Sequence, residues 1–464
     1  MNFETLKKSH LKRNIIIGVV VVLVVSAVIL NFTRAKYRVT QSIPLVNGTI
    51  NYSLADLNVV ALYIDGTEAD ELDSTKQYTL DTTNSTCTYK DGSTISNLSL
   101  SYDSETGQLN ISPFTTKGTK CYLYFDEKVS AGESIIANKN ISDERSGAIT
   151  STLTTNTTGK VYSVADDWGT SYAYAGAPTD NYVKFAGFWW RIIRINGDGS
   201  IRIIYDGTTS HENGESSSDR QITTSAYNYT YGDNAYVGYM MGLNNQCTSG
   251  SCSGSTKSSS YNQAHSNTYD STIKDVLDNW YKTNILDKNY DKYVSKEAGF
   301  CNDRKVVSGY SGYGTLGYGT NATVYAPTSR FLNTSWSSWL SSQTPTLKCS
   351  QSNDLFTISG SSKGNHALEY PIGLITIDEV VVAGGFGGST NQSYYLYTGQ
   401  YYWTMSPSYA DSYGNAYVFF VWSNGTINYY GVANTRGVRP VINLDPSVTL
   451  TGSGTVGDPF EIMA

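Results

Sequence analysis

The segment Asn14-IIIGVVVVLVVSAVIL-Asn31-Phe32 runs for about 16 to 18 apolar residues without a charge, and nothing else in the chain constrains its setting as strongly. A helix rises about 1.5 Å per residue, so this run nearly spans the ~30 Å hydrocarbon core of a bilayer. Lys7, Lys8, Lys12 and Arg13 precede it, while Arg34, Lys36 and Arg38 follow. The modest excess of positive charge in front puts residues 1–14 on the cytoplasmic side. The competing reading is a cleavable signal peptide, whose apolar core is usually about 7–15 residues with a small-x-small site behind it. Here the run is longer and its only such site, Val25-Ser26-Ala27, lies inside it. The expectation is an uncleaved transmembrane helix over 15–32, with a linker at 33–43 and an ectodomain outside the cell membrane.

Seven of the 33 basic and one of the 40 acidic side chains fall within residues 1–38, which leaves the remainder at a net charge of about −13. Nucleic-acid partners are not expected, because phosphate binding needs basic patches. All six cysteines (Cys87, Cys121, Cys247, Cys252, Cys301 and Cys349) lie beyond the apolar run. An even number there fits disulfides in an oxidising compartment. Fifteen connectivities of six cysteines are possible, and proximity within the domains suggests Cys87–Cys121, Cys247–Cys252 and Cys301–Cys349. Thiolate zinc is disfavoured, since no C-x₂-C pair occurs and only His211, His265 and His366 remain as imidazole ligands.

Residues 44–128 read as a small β-sandwich of immunoglobulin-like form. Leu98-SLSY-Asp103 and Gln108-LNIS alternate around Ser104-Glu105-Thr106-Gly107, a hairpin pattern. Residues 129–160 are rich in Ser, Thr, Asn and Gly and are expected to be a linker or stalk. Residues 161–464 form the large domain. Val183-KFAGFWWRIIRI flanks the turn Asn196-Gly197-Asp198-Gly199 with SIRIIYDG, which reads as a hairpin rather than a calcium loop, because too few carboxylates stand in register. A helix is expected over Thr272-IKDVLDNWYKTNIL, capped by Asp270 or Ser271, with Ile273, Val276, Leu277 and Trp280 forming its apolar stripe. A shorter helix is expected around Ile377-DEVVVAG, ended by Gly384. Segments 206–268 and 305–330 read as long loops of the kind that are functional or disordered. Near the C-terminus, strands are expected at Tyr401–Met405, Ala416–Trp422 and Thr426–Tyr430, followed by Arg439-PVINL.

The order Phe185-Ala186-Gly187, Trp190–Gly199, Tyr370–Glu379, Tyr402–Ser408, Arg436–Leu444 and Gly452–Pro459 resembles a surface-protein family of gut Firmicutes. The family's C-terminal domain, of unknown function, is related to the C-type-lectin-like fold shared with formylglycine-generating enzymes and retroelement-diversified variable proteins. The resemblance spans roughly 160–464 and implies an α+β, mainly β fold rather than an activity. Trp190, Trp403, Gly437 and Arg439 are expected to be structural. Calcium-dependent lectins of this fold use Glu-Pro-Asn or Gln-Pro-Asp with Trp-Asn-Asp, and none of these occurs here. The formylglycine-generating relatives use a late cysteine pair, whereas no cysteine follows Cys349.

Composition supplies the functional expectation. Tyr occurs 38 times, and Tyr, Ser, Gly and Asn fill the expected loops, the palette of an antibody paratope. Candidate contacts for a protein or glycan ligand are Tyr409, Tyr413, Asn415, Trp422, Asn428, Tyr429, Tyr430 and Asn434. The alternatives are a structural envelope component without a ligand and an enzyme. Against an enzyme, no Gly-x-Ser-x-Gly elbow supplies a nucleophile in a strand–turn–helix context, and no cofactor or metal is expected.

Overall fold

The computed structural model describes residues 58–73, 78–104, 107–112, 119–336 and 338–463, so the expected membrane helix at 15–32 lies outside the described residues. Among the described residues no helix is long and apolar enough to cross a membrane. The chain is mainly β and divides into two units that meet in sequence at Val129 and Ser130.

In the first unit, the strands Thr67–Ala69, Asn58–Ile64, Lys120–Glu127 and Tyr78–Leu80 lie side by side, with Thr86–Thr88 also on Lys120–Glu127. The expected hairpin is present: Ser99–Asp103 pairs antiparallel with Gln108–Ser112. Its Leu100, Tyr102, Leu109 and Ile111 pack on a core of Leu62, Tyr78, Leu80, Leu123 and Phe125. Cys87 and Cys121 face each other across neighbouring antiparallel strands and are disulfide-bonded. An immunoglobulin domain ties its two sheets together with this bond. Here the bond joins neighbouring strands of one sheet, and Asn58–Ile64 runs parallel to Lys120–Glu127.

Residues 130–160, expected as a linker, are folded into the second unit. Ser130 caps the helix Ala131–Ile136 through a reciprocal capping box with Glu133. Ala131, Ile135 and Ile149 join the main core, and Asn140–Ser142 pairs parallel with Lys160–Ala165. The misreading has a plain cause: the apolar residues of this segment are too few and too scattered to show a period, yet Ala131, Ile135 and Ile149 are buried in the core of the unit.

Two large sheets organise this unit. The first carries the hairpin read from sequence, Phe188–Ile195 against Ile201–Gly207, which in turn pairs with Val441–Leu444. Tyr182–Phe185 enters this hairpin through a two-residue turn, Ala186-Gly187, with φ of +53° and +84°. Two positive φ angles make a type I′ turn, which accounts for the glycine in Phe-Ala-Gly. The strand Phe460–Ile462 lies parallel to Tyr182–Phe185 and so extends this sheet from far along the sequence.

The second sheet contains the C-terminal ribbon: Tyr402–Ala410, Ala416–Val421 and Ile427–Gly431 in successive antiparallel pairs. Thr435–Val438, absent from the sequence reading, joins Tyr402–Ala410 to Thr223–Ala226. The expected helix spans Thr272–Tyr281, is capped by the Ser271 hydroxyl, and continues as one wider turn over Lys282–Leu286. The shorter helix is Ile377–Val382, capped by Thr376. Segments 206–268 and 305–330 are not open loops. They carry short strands and turns and bury Tyr227, Tyr236, Tyr239, Met241 and Tyr325 completely.

The signature residues have structural roles. Trp190 and Trp403 are fully buried and donate their indole N–H to Phe185 O and Ser225 O at 3.0 and 2.9 Å. Arg439 donates to Tyr205 O, Leu396 O and Asp206. In the Asn-Gly-Asp-Gly turn, Asp198 accepts from Ser200 N and Oγ, and Asp206 pairs with Arg220 at 2.7 Å. One oxygen of each carboxylate is thus engaged in the turn or the core, while Asn196 Oδ1, Asp198 Oδ2 and Asp206 Oδ2 are buried without a hydrogen-bond partner among the described residues. Disulfides Cys247–Cys252 and Cys301–Cys349 complete the suggested set.

Candidate functional site

The ribbon holds the eight residues selected from sequence, but strand alternation divides them between opposite faces. Side chains directly across a strand pair share a face. Tyr429 lies opposite Phe419, while Asn428 lies opposite Phe420 and Tyr430 opposite Val418. One face therefore carries Tyr409 and Tyr429, the other Trp422, Asn428 and Tyr430.

The first face is covered. Tyr409 stacks on Tyr417 with ring centroids 4.2 Å apart, and Tyr429 meets Tyr409 edge-on at 5.4 Å. Trp336, held at φ +61°, packs over both at 4.8 and 6.1 Å, and Tyr313 adds a further ring against Tyr409. Burial pushes the phenols of Tyr409, Tyr417 and Tyr429 up, reinforced by neighbouring tyrosines for Tyr409 and Tyr429 and by Asp411 for Tyr417, so all three stay neutral.

The second face is open. Tyr401, Trp422 and Tyr430 are 39%, 38% and 45% exposed. Trp422 stands 5.7 Å from Tyr401 and 5.8 Å from the buried Phe420. The guanidinium of Arg436 lies over Tyr401, Phe420 and Tyr430 at 5.1, 5.1 and 4.7 Å. Its Nη1 donates to Thr435 O at 2.7 Å, its Nε has no partner, and it makes no ion pair among the described residues. Arg436 escaped the sequence reading because the strand Thr435–Val438 that carries it was not recognised; Tyr401, read as the start of a strand, stands just before Tyr402–Ala410.

The other three candidates sit in turns. Tyr413 is 79% exposed at the tip between the first two ribbon strands. Asn415 is occupied by Asp411, to which it donates at 2.9 Å from both its backbone and side-chain nitrogens. Asn434 donates to Gly431 O at 3.0 Å and closes the turn after the third strand. The candidate set thus reduces to the open face, joined by Tyr401 and Arg436.

The remaining titratable clusters are engaged internally. Each ring nitrogen of His211 stands 2.7 Å from a carboxylate, Glu215 at Nδ1 and Asp219 at Nε2. The nearby Ser217 hydroxyl also bonds Asp219. His265 is buried and His366 exposed, the latter set against Ile358 O. Arg194, Arg202 and Glu379 form a buried cluster with Asp166, and Arg330 bridges Asp303 and Asp378. Burial raises Asp378 despite Arg330; in Glu379 burial is outweighed by Arg202 and Arg194, which bring it down. The cavity beside them has about 20 Å³, room for about one water rather than a substrate. Among the described residues no group of three His, Cys, Asp or Glu side chains is placed to hold a metal.

Comparison with protein families, curated proteins and solved structures finds no match to this chain.

Proposed function

We propose that this protein is a single-pass, membrane-anchored surface protein whose C-terminal unit is a non-enzymatic binding module for an extracellular protein or glycan. The anchor is the apolar run at 15–32, with the N-terminus in the cytoplasm. In this reading the C-terminal unit has the C-type-lectin-like architecture suggested by its motif order, and the first β unit is a spacer. Three disulfides suit an oxidising compartment.

The observation that carries the reading is the exposed aromatic face around Arg436. Grouped exposed rings expend little conformational entropy on binding and are typical of recognition surfaces. The structural-envelope alternative gives no reason for such a group to stay in solvent. The test has two parts. Protease added to intact cells should remove the ectodomain; protection until lysis would overturn the topology. The full-length protein in lipid nanodiscs should then bind a ligand on protein and glycan arrays, and Trp422→Ala should weaken that binding at least tenfold. Absence of any ligand at micromolar concentration would favour the envelope component.

A further inference from the structure

The open face of the ribbon holds a charge that the protein does not use. Arg194, Arg202, Arg220, Arg330 and Arg439 donate to buried carbonyls or carboxylates. Arg436 gives one N–H to Thr435 O, and its Nε is out of contact with solvent and without a partner. Rings, rather than carboxylates, hold it in place: Tyr401, Phe420 and Tyr430. A guanidinium fixed over aromatic faces is ordered before a ligand arrives, so little rotamer freedom remains to be lost. The remaining N–H of Nη1 and those of Nη2 can meet a carboxylate through two parallel hydrogen bonds.

Around this cation the exposed surface is aromatic or neutral. Trp422, Tyr401 and Tyr430 offer apolar faces. Asn428, on the same face, uses its side-chain oxygen to accept from Tyr429 N, and its amide donors are not engaged by the described residues. We infer that this face binds a saccharide bearing a carboxylate, such as a uronic or sialic acid residue. Arg436 grips the acid group, the Trp422 and Tyr430 rings lie against the C–H face of the sugar, and Asn428 donates to a hydroxyl.

A protein ligand fits less well. A stable protein interface buries about 800 Å² on each side around an apolar centre. Here three rings are exposed, and the residues that follow Trp422 and precede Arg436 in sequence, Ser423, Asn424, Asn434 and Thr435, are polar, closer in scale to one or two sugar units. This inference rests on the binding-module reading above and narrows it.

The test uses the full-length protein in nanodiscs and two probes: a glucuronic-acid-containing tetrasaccharide and a sialylated trisaccharide. Each is paired with its carboxyl-reduced form, in which the acid becomes a neutral alcohol. The acidic form of at least one probe should bind at least tenfold more tightly than its reduced partner. Arg436→Gln should erase that preference, Arg436→Lys should keep only part of it, and Trp422→Ala should weaken both forms alike. Equal binding of the acidic and reduced forms would overturn the inference while leaving a glycan-binding module. So would binding of proteins alone through the same rings, which would leave a protein-binding module. Binding of nothing would sink both readings. The acidic-against-reduced comparison is made on the unaltered protein, so it stands even where a variant folds poorly.

Discussion

His265 makes a sharp test of how the second unit holds together, because its cost depends on pH in a way its neighbours do not share. It is 2% exposed, and neither ring nitrogen has a partner. The Tyr261 ring lies 3.8 Å from it, Tyr325 lies 6.2 Å away, and the Arg304 guanidinium that pairs with Asp354 is nearby. Burial, then repulsion from Arg304, pulls its pKa from the usual 6.5 down to about 2. Below pH 6.5 the unfolded chain therefore takes up a proton that the folded chain refuses. Stability is lost as pH falls through the unfolded value, at about 1.4 kcal/mol per unit. At pH 4.5 the loss from this one residue amounts to about 3 kcal/mol, a large share of a typical domain's stability.

The assay is urea unfolding of the protein and of His265→Leu between pH 4 and pH 8, followed by tryptophan fluorescence. Leucine approximates the ring's volume and cannot charge. Whatever it costs at pH 8, the difference between variant and parent should move in the variant's favour by about 3 kcal/mol on reaching pH 4.5. Carboxylates held low by ion pairs, such as Glu379, also lose stability on acidification, but they do so in both proteins and cancel in the difference. Parallel curves would show that the buried ring is accommodated as a cation, and would refute the reasoning.

Three further outcomes are expected. Glu379→Gln strands Arg202, which it meets at 2.6 Å, and leaves Arg194 with Asp166 as its remaining carboxylate, and should cost about 3–5 kcal/mol by denaturant unfolding. Replacing Cys87 and Cys121 by serine opens a loop between residues 34 apart in sequence and should cost the first unit about 4 kcal/mol on the chain-entropy account, read as a lowered melting transition. Arg436→Gln should cost about 1 kcal/mol or less, whereas Arg439→Gln leaves the buried Asp206 with one cation fewer and should cost about 3 kcal/mol or more; equal costs would mean that Arg436 is a structural residue.

The sequence was most legible where local chemistry decides local shape. The Thr272–Tyr281 helix follows from its apolar spacing and its Ser271 cap, the 196–199 turn from its glycines, and the Ile377–Val382 helix from Thr376 and Glu379. The three disulfides followed from nearness along the chain. Partnerships made at long range were hidden: Arg439 meets Asp206 across 233 positions, and Arg194 meets Glu379 across 185. Residues 130–160 misled for the same reason. Their few buried apolar side chains, Ala131, Ile135 and Ile149, lie in a core built mostly from residues far along the chain.

Tyrosine misled in a more instructive way. Read as composition, its abundance suggested a surface palette, yet Tyr174, Tyr227, Tyr236, Tyr239, Tyr394, Tyr395 and Tyr402 are completely buried. Tyr239, Tyr394 and Tyr402 donate their hydroxyls to backbone carbonyls, which lets a phenol fill a core at little cost in desolvation. What separates a recognition tyrosine from a packing tyrosine is therefore register rather than frequency. Tyr429 and Tyr430 are neighbours in one strand. The first lies beneath Trp336 and Trp339, while the second stands in solvent beside Arg436. A one-residue slip of Ile427–Gly431 would exchange them and expose the face that Trp336 now covers. The turn Trp422-Ser423-Asn424-Gly425 prevents that slip: Gly425, at φ +80°, donates to Trp422 O at 2.8 Å, and Trp422 donates to Thr426 O at the same distance. The turn that fixes the register of the ribbon thereby decides which aromatic face stands in solvent.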